Sequence, residues 1–230
     1  MNFQSINRFA RNIAKAAVRR PRGFDLFHDL ARIIPAAKVV FDVGANVGQS
    51  TERYLKEFPR ATIFSFEPVP STFEKLVANI EKGNSIATRS RFLPEMCGLG
   101  AVASTARMKT NDGPSDMFNI TDDGNEEIRL STVDLWGDVV SHIDFMKIDT
   151  EGHDLEVLKG SENMLREKRI TAIQVEAGMH PGNERHIPLE VFKSHFESRG
   201  YLLFGFYDQV EEFYTNEPHL RRSNPVFVAG

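Results

Sequence analysis

Three acids and a histidine fall within six residues of one another, at Asp149, Glu151, His153 and Asp154. They follow the apolar run Ile143 to Ile148, so they stand where a buried strand would end. Charge gathered at a strand end is costly to bury without a use or a partner. Asp149 stands nearest to where a transferred group would sit, with Glu151 beside it. Histidine exchanges a proton near neutral pH, which makes His153 a candidate general base. His180 and His186, after the next apolar run (Ile170 to Val175), are alternative bases. Asp149, Glu176 and a histidine also form an oxygen-rich set that suits a divalent cation. A plainer reading makes His153 a surface helix residue, and Asp154 with Thr150 a cap for the helix that follows.

A second stretch is built to hold a ligand. Val39, Val40 and Phe41 lead through Asp42 and Val43 into the turn Gly44-Ala45-Asn46-Val47-Gly48, and a helical pattern runs on from Ser50 to Phe58. Glycine lets backbone bend sharply or approach a ligand closely, and the new helix points unpaired N–H groups at the same spot. The turn has two glycines, with Ala45 in the middle slot, so it is not the G-x-G-x-x-G of a dinucleotide fold. It is no phosphate-binding P-loop either, since Lys and Ser/Thr are missing after Gly48. Asp42 ahead of the turn would repel a pyrophosphate but suit a cation. That favours S-adenosylmethionine, which carries a sulfonium and an ammonium and no phosphate, over NAD. Glu67, at the end of the next apolar run and followed by Pro68, can accept both ribose hydroxyls of an adenosine. Gly98 ends a third run, where a small residue leaves room for an adenine ring.

The elements that must position these residues alternate. Strands are expected over Lys38 to Val43, Ala61 to Phe66, Arg91 to Cys97, Ile143 to Ile148 and Ile170 to Val175. Helices are expected over Phe24 to Ile34, Ser50 to Phe58, Ser71 to about Glu81, Val133 to Val140, Asp154 to Arg166 and Leu189 to Ser198. Ser71 with Glu74 has capping-box spacing. This alternation predicts an α/β fold, a mostly parallel Rossmann-like sheet with helices on both faces. Tyr201 to Tyr207 and Pro225 to Ala229, with no helix between them, pair as a hairpin that puts one antiparallel strand near the C-terminus. Ligands in such sheets bind outside the carboxyl ends of the strands. Strands at Thr105 to Lys109 and Ile128 to Ser131 enclose an Asp-, Asn- and Gly-rich stretch from Asn111 to Glu127, an excursion spanning about 104–131.

With 230 residues and a formal charge of −4, the chain is long enough for one large domain with a full core. Its single cysteine, Cys97, excludes an intramolecular disulfide and a multi-cysteine metal site, and fits a reducing, cytoplasmic setting. No apolar run approaches the roughly 20 residues of a membrane span. The first 22 residues carry Arg8, Arg11, Lys15, Arg19, Arg20 and Arg22 and no acid. Phe3, Ile6, Phe9, Ile13 and Ala17 recur there at helical spacing. Residues 1–37 therefore read as a basic helical arm or lid, and 38–230 as the cofactor-binding domain. Such an arm suits a membrane surface or an anionic partner, or simply covers the domain. Nothing outside it suggests a nucleic-acid surface. A homo-oligomer is compatible with the sequence.

Phe41 to Gly48, then Phe66-Glu67-Pro68, then Met146 to Asp154 with Val157-Leu158-Lys159-Gly160, resemble the FkbM family of S-adenosylmethionine-dependent methyltransferases. The resemblance covers about Val39 to Glu176, and Lys-Ile-Asp-x-Glu-Gly at 147–152 is its most specific part. It implies the class I methyltransferase sheet and O-methylation of a hydroxyl on a small-molecule or carbohydrate acceptor, a sugar or polyketide-like product. By the family pattern Asp42, Gly44, Asn46, Gly48 and Glu67 hold the cofactor, while Asp149 and Glu151 lie at the reacting end. Ala45, Pro68, Gly98 and Asp149 complete the expected cofactor-binding set. The competing readings are an NAD-linked oxidoreductase on a similar sheet and a non-catalytic binding protein that keeps the cofactor fold.

Overall fold

A computed structural model describes residues 21–110, 119–121, 123–211 and 218–230. The amphipathic arm over 1–20 and most of the polar excursion lie outside the described residues.

The main sheet is built from β1 (Val39–Val43), β2 (Thr62–Phe66), β3 (Phe92–Glu95), β8 (Ile143–Ile148), β9 (Ile170–Gln174), β10 (Ala177–Gly178), β11 (Tyr201–Glu211) and β12 (Leu220–Ala229). Strand β1 is central, flanked by β2 and β8, and β3, β2, β1, β8 and β9 run parallel. Strand β12 is antiparallel to β9 on one edge and to β11 on the other. The expected reversed strand near the C-terminus is therefore present, and both late strands are longer than their aromatic cores suggested.

Apolar runs in the parallel strands reflect burial on both faces. Successive side chains of a strand alternate between faces. On one face Phe41, Phe66, Met146 and Ile173 pack with Val157, Leu165 and Phe192 of covering helices. On the other, Val40, Ile63, Phe145 and Ala172 pack with Leu30, Tyr54, Leu55 and Leu76. The helices are α1 (Leu26–Leu30), α2 (Gln49–Glu57), α3 (Pro70–Gly83), α4 (Ile86–Arg89), α5 (Val133–Trp136), α6 (Asp154–Lys159), α7 (Glu162–Arg166) and α8 (Leu189–Glu197).

Three expectations are corrected. Ser71 does not cap α3: the helix starts one residue earlier at Pro70, whose fixed φ suits a first helical position, and Val69 precedes it without a side-chain cap. The single helix expected over Asp154 to Arg166 divides at Gly160 and Ser161, where Gly160 presses against the backbone of Gly100; a Cβ there would lie 2.0 Å from the Gly100 oxygen. The third strand stops at Glu95, and Gly98–Leu99 forms β4 of a separate sheet. That sheet has the order β4, β7 (Glu126–Ser131), β5 (Ser104–Lys109), β6 (Asn119–Ile120). Its inward residues Met108 and Ile128 pack on Val69.

Candidate active site

Parallel register brings three strand ends together, because Val43 pairs with Phe66 of β2 and with Ile148 of β8. The loops beyond them are tied by backbone. The N–H groups of Gly44 and Ala45 both donate to the Phe66 oxygen, at 3.1 and 3.0 Å, and Asp149 N–H donates to the Val43 oxygen at 3.0 Å. Gly44 adopts φ +79, and a Cβ on it would lie 1.9 Å from the Asp149 oxygen. Only glycine lets the two loops approach so closely.

These loops enclose a cavity of about 310 Å³. Gly44, Ala45, Asn46, Gln49 and Ser50 line it from the first loop and the start of α2. Glu67, Pro68 and Val69 line it from the second. Lys147, Asp149, Thr150, Glu151 and His153 close its polar end. Leu99, Met108, Ile120, Ile128 and Leu130 close the other, with Gly98.

Glu67 spans the turn it faces. Its Oε2 accepts from Asn46 N–H at 3.1 Å and its Oε1 from Val69 N–H at 3.0 Å. Burial pushes its carboxyl up to about 7 against those two hydrogen bonds, with Asp42 adding to the rise. Asn46 and Glu151 both hold left-handed backbone, at φ 51 and φ 53. Such conformations in non-glycine residues cluster at functional sites.

At the polar end Lys147 Nζ lies 2.9 Å from Asp149 Oδ2. Burial is the largest influence on each group and opposes its charge, but the surrounding charges together outweigh it: Asp149 with Asp42 holds Lys147 above the ordinary lysine range, and Lys147 with Arg222 and His186 holds Asp149 below the usual carboxylate range. Burial lowers the His153 pKa, so its ring is neutral at pH 7, and it makes no side-chain hydrogen bond among the described residues. Glu151 accepts from Arg185 at 2.7 Å, and burial pushes its carboxyl up to about 6. Asp154 is buried and accepts from Thr150 N–H at 2.8 Å, which holds the turn from Asp149 to His153 in shape. The expected side-chain cap of the following helix is not formed: His153 precedes that helix without a capping hydrogen bond, and Asp154 is bonded back to Thr150 instead.

Five sequence candidates, Asp42, Gly48, Glu176, His180 and His186, do not line the cavity. Asp42 is fully buried behind its wall, where Oδ2 accepts from Ser50 Oγ at 2.7 Å and Thr51 Oγ1 at 2.6 Å; it anchors α2 to β1 and meets the cavity lining through Ser50 and Lys147. Gly48, at φ +98, packs α2 against Leu76 and Ile80 of α3. His180 stands in the loop after β10, accepting from Gly182 N–H through Nδ1. Glu176 is held by Arg222 and by His186 Nε2 at 2.9 Å. The expected cation set of Asp149 and Glu176 is also corrected. Glu151, Glu176 and His186 gather their ligand atoms within 4.8 Å, without Asp149. Their carboxylates are already matched by Arg185 and Arg222. The room expected beside Gly98 is taken by Leu130, whose Cδ2 would lie 2.8 Å from an added Cβ.

Lys147 is the functional residue that site reasoning passed over, although residues two apart on a strand share a face and its position beside Asp149 was legible. The apolar end was also passed over; its signal is the alternation of Ala106, Met108, Ile128 and Leu130 with charged residues.

Sheet order, the reversed β12 and a cavity at the ends of β1, β2 and β8 together define a class I methyltransferase fold. The methyltransferase FkbM domain profile matches residues 42–203, and the chain belongs to that family. The hexuronic acid methyltransferase AglP of Haloferax volcanii is 28% identical over 148 residues, covering 62% of this chain and 58% of that protein. Methyltransferase sdnD of Sordaria araneosa is 25% identical over 171 residues, covering 59% of this chain and 64% of that one. The chain thus spans less than two thirds of these relatives' length. Methyltransferase FkbM from Methylobacillus flagellatus superposes with a TM-score of 0.57 at 18% identity, over 84% of this chain and 43% of that one. TrmK of M. capricolum, whose structure holds S-adenosyl-homocysteine, gives 0.51 at 10% identity, over 90% and 70%. Among the described residues no helix is long and apolar enough to cross a membrane.

Proposed function

We propose that this protein is an S-adenosylmethionine-dependent O-methyltransferase that methylates a hydroxyl of a sugar or polyketide-like natural product. The observation that carries this reading is the cavity itself. One space is bordered by the Gly44 turn, by Glu67 and by the Asp149 to His153 turn, polar at one end and apolar at the other. The residues present fit the cofactor. Gly44 lets its loop close onto the Asp149 backbone so that both loops border one space, and Glu67 keeps acceptor capacity for two ribose hydroxyls. Asp149, held ionised by Lys147, offers negative charge to a cationic methionine end.

The bound cofactor supplies an electrophilic methyl carbon on a sulfonium. The chain has two tasks toward the acceptor: holding its oxygen in line with that carbon, and removing its proton. Positioning carries most of the rate in such displacements. For the proton, Asp149 is a weak base because Lys147 depresses it. A nitrogen of the neutral His153 imidazole is the better acceptor, as it lines the same end without a competing hydrogen bond among the described residues. A relative named for hexuronic acid supports a carbohydrate acceptor.

Calorimetric titration with S-adenosylhomocysteine, followed by mass-shift screening of hydroxylated sugars and natural-product alcohols, tests the reading. Binding with a +14 Da product supports it. NAD binding without S-adenosylhomocysteine binding would favour the oxidoreductase, and cofactor binding with no transfer to any acceptor would favour a non-catalytic role.

A further inference from the structure

Strand β8 separates β1, with its glycine turn, from β9 and β12. On the β9 side a second set of charges borders the turn from Asp149 to His153. Glu151 Oε2 accepts from Arg185 through Nε at 3.1 Å and Nη2 at 2.7 Å. Glu176 engages Arg222 Nη1 with one oxygen and His186 Nε2 with the other. One oxygen of Glu151, one of Glu176 and a ring nitrogen of His186 lie within 4.8 Å of one another, so these residues form one cluster. Buried Asn183 fixes its loop: Nδ2 donates to the Arg221 oxygen of β12 at 2.9 Å, and Oδ1 accepts from His186 N–H at 3.3 Å. Exposure sorts the charges by depth. The Glu176 side chain is 11% exposed and that of Arg222 34%; Glu151 is 25% exposed and Arg185 44%. The carboxylates lie inside and the guanidiniums outside, so a molecule arriving over this rim meets cations first.

We infer that Arg222 selects an acidic acceptor, taking the carboxylate of a uronic-acid-type sugar on its Nε–Nη2 edge while a hydroxyl of that sugar faces the cavity. The inference rests on the sugar-methylating reading above. Glu176 occupies Nη1 only, and Nε and Nη2 of Arg222 make no hydrogen bond among the described residues. Those two N–H groups lie side by side along one edge of the planar guanidinium, which matches the two oxygens of a carboxylate. Arg185 turns the same edge to Glu151. Arg222 also stands close enough to the reacting end for its charge to help hold the Asp149 carboxyl low. With its Nη1 tied to Glu176, the side chain gives up little freedom on binding. A single negative charge suits the cluster. A phosphate monoester, with nearly two, would be repelled by Glu151 and Glu176.

The test is calorimetric binding of sugars by the full chain saturated with S-adenosylhomocysteine. Methyl glycosides of glucuronic and galacturonic acid are set against methyl glucoside and methyl galactoside. The better uronide should bind about 10- to 100-fold more tightly than its neutral counterpart, the effect of a charge-assisted pair. Arg222→Gln should abolish that ratio and change S-adenosylhomocysteine affinity far less. Arg222→Lys should keep only part of it, since an ammonium lacks the two-donor edge. Should the unpaired Glu176 impair folding of Arg222→Gln, the double variant Arg222→Gln/Glu176→Gln removes both charges and gives the same comparison. Wild type that binds the uronides no better than the neutral sugars would overturn the inference. So would a preference that survives Arg222→Gln, or tighter binding of glucose 6-phosphate than of either uronide. Failure of wild type to bind S-adenosylhomocysteine would sink the cofactor reading instead, and the uronide comparison is then read on the chain alone.

Discussion

Lys147 and Asp149, two positions apart at the end of β8, point to the same side and form a 2.9 Å ion pair inside the cavity wall. Asp42 stands behind the same ammonium, with its Oδ1 4.0 Å away. One cation thus serves two acids, Asp42 behind the wall and Asp149 facing the cavity. Lys147→Met would leave both acids poorly solvated beside each other. We expect a loss of about 1–3 kcal/mol in urea unfolding at pH 7, below the range for a fully buried pair because Asp149 is partly exposed in the cavity. Because Lys147 depresses the Asp149 pKa, its contribution is present above the unfolded carboxylate pKa and is lost as pH falls through the lower folded value. The gap between wild type and variant should close in acid.

Asp149→Asn keeps the shape and removes the charge. Turnover should fall by more than S-adenosylhomocysteine affinity does, read as kcat against Kd. An unchanged kcat would remove Asp149 from the reacting end.

His153 should control the rising limb of the rate profile. Its pKa is lowered by burial, so the neutral, proton-accepting form accumulates at lower pH than for a free imidazole and the limb should lie correspondingly lower. His153→Ala should cut kcat by about 100- to 1,000-fold and abolish that limb, with cofactor affinity preserved. A surviving limb would point to another base.

Glu67 should make cofactor binding depend on pH. Its carboxyl sits at about 7 in the free protein, and hydroxyl donors favour the ionised form. Binding should therefore release a proton, and affinity should rise with pH through 7 and level off above it. Calorimetry in buffers of different ionisation enthalpy would count that proton. Glu67→Ala should weaken binding about 10- to 100-fold, and Glu67→Gln should flatten the pH dependence.

Gly44→Ala should destabilise the protein by about 2–4 kcal/mol, since the new Cβ meets the Asp149 backbone and the positive φ is unfavourable for alanine. Thermal unfolding without ligand would measure it, and S-adenosylhomocysteine binding should fall in parallel.

Much of this molecule is legible in its residue order. Apolar runs ending in Asp, Glu or Gly at 42–44, 67 and 149 are local signals, because a strand buried on both faces must be apolar and its end must turn. The family resemblance of 41–48, 66–68 and 146–154 rests on the same local residues. Packing altered the helix limits: Pro70 displaced the Ser71 cap, and the contact of Gly160 with Gly100 divided the helix after Asp154.

By itself, then, the sequence determined the alternation of strands and helices, the glycine turn, Glu67 as a candidate ribose partner and the acidic turn after β8. Those follow from hydrophobic period and backbone demands that neighbouring residues express. Tertiary structure alone decided which side of the wall each charge occupies. Asp42 precedes the glycine turn in sequence yet faces α2, where Ser50 and Thr51 hold its short carboxylate, while its register partner Lys147, on the same side of the sheet, is long enough to reach the cavity. Lys147 looks like a strand residue yet faces the cavity, paired across the end of the strand. His180 and Glu176 follow a sheet strand yet stand off the cavity, since Glu176 is engaged by Arg222 and His186. Met108 and Ile128 reach Val69 from some 40 to 60 residues away, and only the pairing of β5 with β7 brings them there.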